Sequence, residues 1–275
     1  MAGEAHRALS DLLSRPEGSW SLADGALAIA RLGRPGLDPG VSIGKLDRLG
    51  EAARAVVGQA RHPRFVSAGI ARVLFQDERF RIASEAENDV ASCYLDAVLQ
   101  RRTGTPTLLA LVFIEVARRC STRFEGVVLP GRFLLRHDQG ERLSLYDPER
   151  GARPVTIDEC RRLVNESTGG RVEFREAFLR PITPSQMLAR IVGNLKAVFW
   201  RVADHEMALE AVRLLLTIRP DDPREIRDRG RLLFLLGRFK DAIAAFEEYL
   251  AHNPRGEDAD VVRMLLLEAR AGLNA

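Results

Sequence analysis

Apolar residues recur at helical spacing over most of the chain. Residues 4–15, 20–33 and 42–58 read as helices: Leu9, Leu12 and Leu13 share one face of the first, and Ile43, Leu46, Leu49, Ala53 and Val56 share one face of the third. The turn-forming run from Gly33 to Gly40 separates the second from the third. A further helix is expected over 65–76, with Phe65, Ile70, Val73 and Leu74 as its buried side. Polar residues 77–88 read as a connection, and Val90–Gln100 as another helix.

The centre of the chain changes character. Thr105 and Pro106 make a strong helix start, a hydroxyl cap followed by a proline where no amide hydrogen is needed. The segment Leu108–Ala117 is apolar almost all round, broken only by Glu115, so this helix should be buried. Three strand-like runs follow, Phe124–Leu129, Phe133–Arg136 and Leu143–Tyr146, parted by turn signals at Pro130-Gly131 and at His137–Gly140. A small antiparallel sheet packed on a buried helix satisfies both patterns.

From residue 184 the pattern is helical to the end, and it repeats. Ala208 and Ala242 are 34 residues apart, as are Pro220 and Pro254, and Gly230 and Phe246 flank Ala242 within the second unit. This resembles the tetratricopeptide repeat, a helix-turn-helix of that length in which small residues let two helices approach closely. The first unit carries Lys196 and Val212 at the places of Gly230 and Phe246. Two units and a last helix over Asp258–Ala271 are too few to stand alone, so the array is expected to dock on the preceding domain. The fold class is α+β, with domains at 1–183 and 184–275.

Charge changes this picture little. The net charge is +3, and only Lys45, Lys196 and Lys240 among the basic residues are lysines. From residue 184 onward 14 basic and 14 acidic residues balance, so the excess is spread through the first 183. Nucleic-acid binding proteins concentrate such charge on one face, so nucleic acid is not the expected partner. The longest apolar run falls far short of the roughly 20 residues of a membrane span. Cys93, Cys120 and Cys160 form no CxxC pair, and His6, His62, His137, His205 and His252 share no ligand spacing, so neither a disulfide framework nor a metal site is expected. No phosphate-binding glycine motif is present, and no cofactor is implied. A reduced, cytoplasmic protein is the expectation, with the oligomeric state open.

Residues 101–119, then Glu125–Arg136 and Leu145–Gly151, resemble the SirB family of transglutaminase-like proteins, which pair such a core with a C-terminal tetratricopeptide segment. The resemblance spans residues 40–273 and is most specific over 101–162. In the superfamily it implies, a Cys at the start of the buried helix, a His on the next strand and an Asp one strand further carry acyl chemistry. Carried over, the Cys position falls on Pro106, the His position of the family's Pro-Gly-His-Phe pattern on Arg132, and the Asp position on Asp147 of Tyr-Asp-Pro. Proline has no nucleophile, and arginine keeps its proton at physiological pH, so it cannot serve as a base. The resemblance therefore implies a pseudoenzyme that binds a protein or peptide, with Arg132 and Asp147 expected to form a charge-assisted pair across adjacent strands.

The alternative is a cryptic hydrolase or acyltransferase with a relocated nucleophile, Thr105, Thr107 or Cys93. Buried, inert thiols are the expectation for all three cysteines. His137 is expected in an exposed turn, on the face opposite Arg132.

Overall fold

A computed structural model describes residues 2–60, 62–138 and 143–273. Four helices open the chain: α1 (Ala2–Leu13), α2 (Leu22–Ala30), α3 (Pro39–Val57) and α4 (Pro63–Ala71). Ser21 and Asp24 close a capping box on α2, and Asp38 caps α3 ahead of Pro39. Leu9, Leu46, Leu49, Ala53, Val66, Ile70, Val73 and Leu74 are buried as their spacing requires. Two residues depart from the expectation. Phe65 is 65 % exposed, because α4 starts at Pro63 and turns Val66 and Ile70 inward, and Val56 is 41 % exposed one residue before α3 ends.

The helix expected to run to residue 76 changes pitch, continuing as a π-helical turn over Arg72–Asp77. The polar connection holds β1 (Arg81–Ile82), paired in parallel with β2 (Thr103–Gly104). The helix expected over 90–100 is broken at Tyr94: a 3-10 turn covers Val90–Cys93, and α5 covers Leu95–Arg101. The Ser92 carbonyl accepts from the Thr105 amide at 3.0 Å instead of continuing the helix.

The buried helix is α6 (Pro106–Arg119), with Thr105 as cap and every residue from Thr107 to Ala117 buried. Glu115 is among them. Its carboxylate accepts from the Ala23 amide at 3.2 Å, in the first turn of α2, and from Arg118 and Arg119 at 2.9 and 2.8 Å. The charge that interrupts the apolar run therefore fastens α6 to the N-terminal helices.

Strands β3 (Glu125–Leu129), β4 (Arg132–Asp138), β5 (Leu143–Asp147) and β6 (Arg153–Val155) form one antiparallel sheet in that order. Alternation gives the sheet two apolar faces. Phe133, Leu135 and Tyr146 join the main core around α6. Leu134, Leu145 and Val155 form a second core with Cys160 and Val164 of α7 (Ile157–Thr168). Part of the turn expected at 137–140 is strand, since His137 and Asp138 belong to β4; residues 139–142 lie outside the described residues.

The remaining helices are α8 (Pro184–Arg201), α9 (His205–Ile218), α10 (Pro223–Leu235), α11 (Phe239–His252) and α12 (Ala259–Leu273). Ala208 and Ala242 are fully buried, and a Cβ on Gly230 would lie 2.5 Å from the Phe246 ring, which is the close helix approach that the repeat requires. In the first unit Lys196 instead reaches Glu225 at 2.7 Å and Asp228 at 3.0 Å on α10, an ion cluster joining the two units. The array docks through α9 on α1 and through α8 on α2 and α6, and its buried residues belong to the same main core.

Candidate functional site

Thr105 Oγ1 accepts from the Leu108 amide at 3.4 Å, closing the first turn of α6. That bond commits the hydroxyl that stands nearest Pro106. Gly131 (φ 75°) turns the chain back so that Arg132 opens β4 close to the start of α6. Asp147 ends β5 and caps the 3-10 turn Pro148–Arg150, its Oδ1 accepting from the Glu149 amide at 2.9 Å.

Thr105, Pro106, Thr107 and Arg132 line one cleft of about 230 Å³, so the structure brings together Pro106 and Arg132, the two residues that the sequence resemblance singled out. Asp147 stands just behind it, fully buried. The far wall is α8, contributing Arg190, Asn194, Ala197 and Arg201. Glu149 and Asn88 complete the rim. Neither a cysteine nor a histidine is among the residues lining it.

The expected pairing of Arg132 with Asp147 is corrected in part: the ion pair is present as a long contact, and a second carboxylate, Glu149, lies closer. Leu135 faces Tyr146 and Arg136 faces Leu145, which carried one pair further sets Leu134, not Arg132, against Asp147, and Glu149 lies beyond β5 in the 3-10 turn Pro148–Arg150. Arg132 Nη1 lies 2.5 Å from Glu149 Oε2, while its Nε is 4.0 Å from Asp147 Oδ2. Burial raises the Glu149 carboxyl above its ordinary value, and the charge of Arg132 opposes that rise. Asp147 Oδ2 has no hydrogen-bond partner, although Arg150 approaches to 3.8 Å.

His137 is corrected as well. It lies on the face opposite Arg132, as alternation requires, but it is buried rather than exposed. Its Nδ1 donates to the Arg123 carbonyl at 2.6 Å, and its ring packs 5.0 Å from that of Phe124. The cysteines stand apart from the cleft lining. Burial pushes the Cys93 and Cys160 thiols up to about 11 and also raises that of Cys120. A reactive thiol needs the opposite shift. Among the described residues no group of three or more His, Cys, Asp and Glu is placed to hold a metal ion.

The sequence pattern of the Transglutaminase-like superfamily matches residues 42–193, more than half the chain. The chain belongs to the transglutaminase-like superfamily. A Tetratricopeptide repeat pattern matches residues 195–267, the span from α8 to α12. Among relatives of this transglutaminase-like protein, a UPF0162 protein of Xylella fastidiosa is 31 % identical over 246 residues, 88 % of each chain. A UPF0162 protein of Pseudomonas aeruginosa is 32 % identical over 200 residues, 73 % of each, and one of Vibrio cholerae 26 % identical over 243 residues, 88 % of this chain and 90 % of its own.

Sequence reasoning missed Glu149, Arg190, Asn194 and Arg201 in the cleft of this transglutaminase-like core. For Glu149 the signal lay in its place two residues past Asp147, on the turn that follows β5. For the α8 residues it lay in their spacing of four and seven, one stripe of a helix that repeat periodicity alone assigns to the array. Among the described residues no helix is long and apolar enough to cross a membrane.

Proposed function

We infer that this chain is a non-catalytic binding protein, a SirB-type member of its superfamily in which the old reacting centre has become a recognition cleft. The observation that carries this reading is the lining of that cleft: Pro106 at the position of the nucleophile and an ion-paired Arg132 at the position of the base, with neither a thiol nor an imidazole beside them. An acyl-transfer centre needs a nucleophile within hydrogen-bond reach of a base. Thr105 Oγ1 already accepts a helix amide, and Cys93 is buried with its thiol held protonated at neutral pH. Tetratricopeptide repeats as a class mediate protein–protein contacts, which makes a protein or peptide the partner. The division at 183/184 separates the cleft-bearing domain from the array that covers its open side. Three unpaired cysteines fit a reducing, cytoplasmic setting.

Thiol-directed and hydroxyl-directed electrophiles test this reading on the intact chain. Labelling at each of the three cysteines is expected to be no faster than that of free cysteine at neutral pH, with Cys93 and Cys160 reacting only on unfolding. One cysteine labelled faster than free cysteine, or acylation at Thr105 or Thr107, would sink it.

A further inference from the structure

The cleft is positively charged beyond what its structural pairs need. Of its three arginines, Arg132 is neutralised by Glu149. Arg190 and Arg201 form no ion pair with any described carboxylate. Arg190 lies with its guanidinium 5.8 Å from the centroid of the Phe133 ring, and its Nε is buried without a hydrogen-bond partner. Arg201 donates one Nη2 hydrogen to the Asn88 carbonyl, which leaves other donors of its fork free. The buried Nε of Arg190 is costly unless an acceptor arrives, whereas the exposed Arg201 presents its free donors at the mouth of the cleft.

The two free arginines have a defined spacing. They are 11 residues apart on α8, three turns, so they point the same way about 16 Å apart along the axis. Asn194 stands between them, with Ala197 giving a small apolar floor. The start of α6 faces this stripe with the positive end of its dipole. A single small anion cannot bridge about 16 Å, whereas an extended peptide spans it in about five residues. Two cations also fall short of the dense stripe that a nucleic-acid backbone requires. Past Arg190 the cleft opens into an adjoining cavity of about 510 Å³ between β3 and α8–α10, which shares Arg190 and Asn194. A bound chain can therefore leave the cleft toward the repeat array without reversing.

We propose that this cleft binds an acidic segment of a partner protein in extended conformation, with carboxylates on the first and last of about five residues, hence on one face of the strand, seated on Arg190 and Arg201. The proposal rests on the binding-protein reading and names the chemistry of its ligand. Asn194 supplies amide hydrogen bonds to the backbone between the two anchors, and Ala197 keeps the floor low enough for it to lie flat.

The test uses the full chain and a fluorescein-labelled peptide of about ten residues alternating glutamate and serine, with a glutamine-for-glutamate analogue and labelled duplex DNA as the other probes. Anisotropy should show the glutamate peptide binding in preference to the glutamine analogue. Arg190→Gln and Arg201→Gln should each weaken it by about tenfold, the size of one charge-assisted hydrogen-bonded contact. Asn194→Glu, which sets a carboxylate between the anchors, should weaken it comparably, and this check stands even if an arginine variant folds poorly. Equal binding of both peptides, or affinity unchanged in all three variants, would overturn the proposal. Duplex DNA binding more tightly through the same arginines would overturn it in favour of a nucleic-acid site. Mass spectrometry of the recovered peptide separates the two readings: a cleaved or modified peptide refutes the non-catalytic function, whereas an intact peptide that never bound refutes only the acidic-ligand assignment.

Discussion

Replacing Arg132 by methionine removes the cation that sits between Glu149 and Asp147 while keeping much of the aliphatic stem. Side-chain exposures are 20 % for Arg132, 22 % for Glu149 and 1 % for Asp147, so the pair is neither a surface bridge nor a dry one. Exposed pairs are worth at most about 1 kcal/mol, and stranding one partner of a buried pair costs about 3–5 kcal/mol. At one-fifth exposure the loss should be about 2–3 kcal/mol, a fall in Tm of roughly 4–8 °C for a chain of this size. The deficit should depend on pH with a definite sign. Burial already raises the folded-state pKa of Glu149, and Arg132 is the charge that opposes the rise, so the variant raises it further. A group whose folded pKa exceeds its unfolded value favours folding below the unfolded pKa and loses that contribution as pH climbs through the folded one. The variant should therefore be closest to the parent near about pH 4 and furthest from it near neutrality. Thermal melts followed by circular dichroism at several pH values measure this. Adding Glu149→Gln should restore more than half of the lost stability at neutral pH. Rescue by Asp147→Asn instead would refute Glu149 as the principal partner, and an unchanged Tm in the single variant would refute the pairing altogether.

Two other substitutions probe how the parts are joined. Glu115→Ala leaves Arg119 with Asp47 of α3 as its carboxylate and leaves the Ala23 amide without its acceptor; urea unfolding should report a loss of about 2–3 kcal/mol, and a loss under about 1 kcal/mol would mean that α6 and α2 are held by apolar packing alone. Gly230→Ala drives a methyl to within 2.5 Å of the Phe246 ring, an overpacking cost of about 1–3 kcal/mol that the roughly 1 kcal/mol gain in helix propensity only partly offsets; a lowered Tm is expected, and a raised one would show the α10–α11 contact to be loose.

Much of the site was legible because its determinants are local. Thr105 and Pro106 start a helix wherever they meet an apolar run, and Pro130-Gly131 turns a chain in any fold. The Gly230–Phe246 contact was likewise readable, since a repeat encodes its own close approach at a constant spacing. His137 was misread because residues 137–140 carry turn chemistry, yet β4 extends through Asp138, where Phe124 and the Arg123 carbonyl enclose the ring.

By itself, the order of residues determined where the buried helix begins, that three strands follow it, and that a 34-residue period runs through the C-terminal helices. Each of these follows from the conformational preference of a few neighbouring residues or from a pattern that repeats them. Only the tertiary structure decided that Arg132 lies closer to Glu149 than to Asp147, that Glu115 anchors α2, and that Arg190 and Arg201 face the start of α6. Those outcomes depend on strand register and on how one helix is rotated against another. Both are set by the fit of apolar surfaces distant in the chain, which the charged residues then follow.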